Sequence, residues 1–159
     1  MKQILDNCSI TFNIKQTSDG YTDESELYTR GEFRLHKGAF FIDYDESEAT
    51  GYDGSHVQLM VDRDLITMTR TGTSFSNLVF QDNTRHFCHY GTEFGDCMVG
   101  ITTKFIHRNL SENGGKIHLK YSIDVNGGLM SENEITIKVK TTEDHTATSP
   151  SDRANSTRQ

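Results

Sequence analysis

Residues 116–140, KIHLKYSIDVNGGLMSENEITIKVK, decide the fold. Ile117, Leu119, Tyr121, Ile123 and Val125 occupy every second position of the first half. After Asn126-Gly127-Gly128 the alternation resumes, with Ile135, Ile137 and Val139 aligned. Side chains of a strand point alternately to its two faces, so this pattern predicts two half-buried strands. Asn-Gly between alternating runs is a strong short-range signal for a hairpin.

The same period extends through the rest of the chain. DCMVGITTKFI (96–106) aligns Val99, Ile101, Thr103 and Phe105. CSITFNIKQT (8–17) aligns Ile10, Phe12 and Ile14. ELYTRGEFRLHK (26–37) aligns Leu27, Thr29, Phe33 and Leu35, with Gly31 in line where a strand can bend. GAFFIDYDE (38–46) follows a Lys37-Gly38 turn. SHVQLMV and DLITMTR flank Asp62-Arg63, and SFSNLVF and RHFCHY flank Asp82-Asn83-Thr84. These runs amount to about ten short strands at even spacing, the pattern of an all-β antiparallel barrel or sandwich. No segment carries a convincing helical face. The only proline is Pro150, beyond the last strand, which suits a continuous hydrogen-bonded ladder. Consecutive hairpins favour an up-and-down meander. A closed barrel of about ten strands has room for a small ligand.

Composition sets further bounds. The 159 residues suffice for one domain with a core, although only 33% are hydrophobic. Residues 1–141 are expected to form a single β-barrel domain. Residues 142–159 contain no large apolar side chain and are expected to be a disordered polar tail. The net charge of -7, without a basic cluster, argues against nucleic acid and anionic membranes as partners. MKQILDNCSI breaks its apolar run at Asp6 and Asn7, unlike a signal peptide. No stretch has the length of a transmembrane helix. Three widely spaced cysteines make no disulfide framework. The expectation is a soluble cytoplasmic protein with reduced thiols.

A resemblance rests on five segments in order: FIDYDES (41–47), VDRDLITMTRTG (61–72), LVFQDNTRHFCHYGTEFG (78–95), GITTKFI (100–106) and GGKIHLKYSIDVNG (114–127). In their order and spacing these segments resemble the YwiB-like proteins, small bacterial proteins of unknown function. The likeness covers roughly residues 8–140. Its most specific parts are Arg70 with Gly72, the turn from Tyr90 to Gly95, and the strand from Gly114-Gly115 to Tyr121. The resemblance implies a calycin-type, lipocalin-like β-barrel and supplies no activity, ligand or catalytic residue. At YGTEFG the chain departs from the family pattern, with Glu93 where a proline is common before the aromatic.

Arg70 is the residue out of place: in DLITMTR it shares a face with Ile66 and Met68. In FFIDYDE, Phe40, Ile42, Tyr44 and Glu46 share a face. On one reading Arg70, Tyr44, Glu46, Tyr121 and Tyr90 converge near a barrel mouth on an amphipathic or anionic ligand, a role that suits the planar fork of arginine. On the other, Arg70 pairs structurally with a carboxylate such as Glu46, or reaches solvent.

Other constellations carry less. The run DYDESE fails as a calcium loop, because the sixth position from Asp43 is Glu48 and the twelfth Gly54. Its bland reading is a solvated outer face, with Asp43 and Asp45 on one side of a strand. In RHFCHYGTEFGDC, His86 and Cys88 share a face, and a symmetric hairpin sets Cys88 opposite Cys97. Those three groups are a weak zinc set without a fourth ligand, and two packed thiols explain the pattern as well. There is no nucleophile elbow or recognisable catalytic triad, and no Lys-Ser or Lys-Thr follows the glycine turns to hold phosphate. Met60, Met68, Met98 and Met130 read as core filler.

Three functions compete. The first is a module binding a small-molecule ligand, without a cofactor. The second is a structural or interaction protein, for instance a homodimer, whose barrel is filled by Phe12, Phe33, Phe40, Phe75, Phe80, Phe105 and Tyr121. An enzyme is the third, and no readable constellation supports it.

Overall fold

The computed structural model describes residues 5–92 and 94–142. They form ten strands: β1 (Cys8–Ser18), β2 (Tyr21–His36), β3 (Ala39–Asp45), β4 (Ser55–Val61), β5 (Leu65–Gly72), β6 (Ser76–Gln81), β7 (Thr84–Thr92), β8 (Gly95–Ser111), β9 (Gly114–Val125) and β10 (Gly128–Thr141). A 3-10 turn, Glu48–Thr50, lies in the loop between β3 and β4. Each strand pairs with its neighbours in sequence, and β1 pairs antiparallel with β10 to close the ring. The protein is therefore an all-β, ten-stranded, up-and-down barrel, as its alternation predicts. Residues 143–159 and Glu93 lie outside the described residues, so the expected tail falls there except for its first residue. Thr142 is held by a bond from its amide to the Asn7 carbonyl and by one from Arg30 Nη2 to its hydroxyl.

Local chemistry makes the turns. Asp19-Gly20, Lys37-Gly38 and Asn126-Gly127 each have positive φ at both residues, the requirement of a two-residue type I′ hairpin. Gly31 answers a different need. There β2 leaves β1 as its partner, since Cys8 opposes Gly31, and takes up β3, since Glu32 opposes Asp43. A Cβ on Gly31 would stand 2.1 Å from the Asp43 carbonyl oxygen, so only glycine lets the chains pass this closely.

One strand departs from simple alternation. In β8 the register slips between Thr103 and Phe105. Before the slip Val99, Ile101 and Thr103 point inward and are buried. After it Ile106 opposes Leu119 and packs on the core, while Phe105 turns outward against His107 and His118. Phe105 is thus not interior, and neither is Phe75, which is exposed in the turn before β6 and meets His89 edge-on. Met98 and Met130 are exposed too, so they are not core filler.

The core is divided along the barrel axis. One end receives the chain ends and the β2–β3, β4–β5, β6–β7 and β8–β9 turns. It is plugged by Cys8, Ile10, Val61 and Val139, with Phe33 and Phe40 stacked at 5.6 Å. Each fully buried aliphatic side chain contributes about 1.5–3 kcal/mol. The other end carries the remaining hairpins and the β3–β4 loop, and is hollow.

Candidate functional site

The hollow half encloses a cavity of about 480 Å3. Phe12, Leu59, Ile66, Leu78, Phe80, Ile117, Leu119 and Ile137 make its apolar wall and floor. Toward the open end polar side chains join Ile14, Leu27 and Ile123 in the lining. On β10 the face bearing Ile135 and Ile137 continues as Asn133, which lines the cavity and donates from Nδ2 to Ser131 Oγ. The β3–β4 loop borders the mouth through Ser47, Ala49, Thr50 and Tyr52. This half of the barrel is thus not filled by its own side chains.

Arg70, near the end of β5, projects into this space. Its Nε and Nη2 both lie 2.8 Å from Glu46 Oε2. Both residues are buried, so the structural pairing weighed from sequence is present, and it is present in the cavity wall. The guanidinium carbon lies 3.7 Å from the centre of the Tyr52 ring, a close cation–π contact. Tyr52 is absent from the sequence-level set. It lies in a loop between Gly51 and Gly54, where alternation says nothing about direction.

The remaining candidates line the same cavity: Tyr44 from β3, Tyr90 from β7 and Tyr121 from β9. Tyr90 and Tyr52 approach through their hydroxyls at 3.3 Å. Tyr121 packs edge-on against Phe80, and Tyr44 is tilted against Phe12. Burial pushes the Tyr121 hydroxyl up to about 12, with Arg70 opposing the rise. Burial likewise raises Tyr44, with Glu46 adding to the effect, and raises Tyr90, with the hydrogen bond to Tyr52 adding there. All three are therefore neutral at physiological pH and able both to donate and to accept. The structure thus brings together Arg70, Glu46, Tyr44, Tyr90 and Tyr121.

It does not bring the thiol set together. Cys88 opposes Val99, and Cys97 opposes Tyr90, because the β7–β8 hairpin is centred one residue later along the chain than a symmetric closure on Cys88 and Cys97 requires. All three cysteines are free, with Cys8 and Cys88 buried and Cys97 exposed. Burial raises the Cys88 thiol, the opposite of what a metal-ready thiolate needs. His86 is engaged with Gln81, its Nε2 lying 2.8 Å from Oε1. Among the described residues no group of three His, Cys, Asp or Glu side chains is placed to hold a metal ion.

The acidic run also differs from a solvated face. Asp43 points outward yet is fully buried, and its Oδ1 lies 3.0 Å from His56 Nε2 and 3.1 Å from Gln58 Nε2. His56 Nδ1 lies 3.0 Å from Asp45 Oδ1, so one imidazole ties two carboxylates of β3 to β4. Partial burial works against its charge, but the hydrogen bonds of Asp45 and Asp43 outweigh it and the pKa is raised.

Residues 10–137 match the model of a family described as a domain of unknown function (DUF1934). The chain belongs to that family. The DUF1934 chain is also similar to a solved structure, the ywiB protein from Bacillus subtilis. The two align with a TM-score of 0.76 at 19% identity, over 86% of this chain and 92% of the other. At that identity the likeness shows the barrel fold, and it agrees with the YwiB-like resemblance carried by the five segments. No curated protein matches the chain. Among the described residues no helix of the DUF1934 chain is long and apolar enough to cross a membrane.

Proposed function

We propose that the protein is a cytoplasmic binding module, not an enzyme, that encloses a small amphipathic molecule in the hollow half of its barrel. The observation that carries this reading is a cavity with an apolar floor and polar groups gathered toward its mouth. Ligand sites are typically concave, about 300–1,000 Å3 in volume, and mainly apolar with a few placed polar groups. The cavity has that size and that lining. An apolar body fits against Ile66, Leu78, Phe80 and Leu119, and a polar end meets the tyrosine hydroxyls. The plug at the other end leaves one way in. Three cysteines without a disulfide pairing support the compartment.

Native mass spectrometry of the purified full chain, set beside its denatured mass, tests the reading. A non-covalent passenger lost on denaturation is the expected result. Met68→Trp, which fills the cavity from β5, should abolish that passenger while the barrel stays folded. A passenger retained by Met68→Trp, or a bare protein that also takes up no apolar probe, overturns it.

A further inference from the structure

We infer that the molecule taken by the cavity is uncharged and is recognised at its polar end by hydroxyl and amide groups. This deepens the binding-module reading and rests on it. The inference comes from what the charges in the wall are already doing. Among the described lining residues only Asp45, Glu46 and Arg70 are charged, and Asp45 turns its carboxylate outward to His56, which leaves one negative charge against one positive inside.

Arg70 is the single cation, and it is occupied on two sides. Two of its nitrogens converge on one oxygen of Glu46, and the Tyr52 ring covers a face of the guanidinium at 3.7 Å. An anion approaching Arg70 must therefore sit beside Glu46. The attraction is cancelled while the loss of hydration is not. A cation approaching Glu46 meets Arg70 in the same way.

The other polar groups of the lining carry no charge. They include the hydroxyls of Tyr44, Tyr52, Tyr90 and Tyr121 and the amides of Asn133 and Gln16, with serine and threonine hydroxyls beside them. Tyr44 and Tyr121 make no side-chain hydrogen bond among the described residues, so their hydroxyls are available to an oxygen-bearing ligand. Their rings, with Phe12 and Phe80, also favour a flat or cyclic apolar body. The class is an uncharged amphipathic molecule with a hydroxyl, carbonyl or ether at one end, not a fatty acid or a phosphate ester.

Two fluorescent probes with one ring skeleton separate the cases: neutral N-phenyl-1-naphthylamine and its sulfonate, 1-anilinonaphthalene-8-sulfonate. On the full chain the neutral probe should bind at least tenfold more tightly. Glu46→Gln should narrow that gap by strengthening only the sulfonate, with folding checked by thermal melting. Equal or tighter binding of the sulfonate by the wild type overturns the inference and leaves the cavity reading standing. A gap unmoved by Glu46→Gln overturns the role given to the Arg70–Glu46 pair. Binding of neither probe, or binding that survives Met68→Trp, overturns the cavity reading and this inference with it. The wild-type comparison stands even where a variant fails to fold.

Discussion

At the scale of single residues, the Arg70–Glu46 pair dominates. It is buried, and each partner is the other's main compensation for lost hydration. Removing one partner of such a pair costs about 3–5 kcal/mol, because the survivor is left uncompensated. Arg70→Ala and Glu46→Ala should each lower stability toward that range in urea unfolding. Arg70→Met with Glu46→Leu should lose less than the sum of the single changes, and a fully additive double-mutant cycle would refute the coupling. The interior tyrosines give a second expectation, set by the sign of their shift. Tyr121 titrates at about 12 in the barrel and near 10 when unfolded, so the unfolded chain releases its proton first. Its contribution is complete below about pH 10 and is lost as pH rises through the folded value. Alkaline titration followed by tyrosinate absorbance should show a late, cooperative rise that coincides with unfolding. Tyr121→Phe should reduce that step.

At the scale of elements, close approaches and clamps decide how strands meet. Gly31→Ala places a methyl on the Asp43 carbonyl, so β2 and β3 must part. The expected loss is about 2–4 kcal/mol, within the range of overpacking and backbone clashes. An Ala variant as stable as wild type would show that the bend can relax. The His56 clamp between β3 and β4 acts through pH. Its pKa is raised by Asp45 and Asp43 over the opposing burial, so it stabilises fully below the ordinary imidazole value and loses that effect as pH rises through the folded value. His56→Gln should flatten stability against pH in that window, while wild type declines there. Reading these elements from sequence succeeds where the period is unbroken. The 116–140 hairpin, the bend at Gly31 and the shared face of Ile66, Met68 and Arg70 are all legible. It fails where one residue is out of phase. The slip after Thr103 inverts Phe105, and nothing in TTKFI marks it. The burial of Asp43 is set by chains that pass over it, which no local pattern records. Asn133 and Ser131 were readable, as the polar continuation of the Ile135–Ile137–Val139 face. Tyr52 was not, since it has no strand to give it a direction.

At the scale of the whole molecule, two opposed halves share one ladder. The plugged end supplies the stability, and the hollow end forgoes packing and keeps a lined space. A ligand of the proposed class should therefore raise the melting temperature by mass action, by an amount that grows with the logarithm of its concentration. Met68→Trp should remove that dependence. The ring itself closes only where β1 meets β10, with Cys8 opposite Thr141 and Ile10 opposite Val139. Every other pairing joins neighbours in sequence, so each hairpin can assemble locally, while the seam must wait for the two ends of the chain to find each other. Closing so long a loop is entropically slow, and pairings of this kind govern folding speed more than stability. A circular permutant, with the two strand ends linked and the chain opened at Asp82-Asn83, turns that seam into a hairpin. It should reach the native barrel by the same hydrogen bonds but in a different order, the last strands to meet being β6 and β7 and no longer β1 and β10.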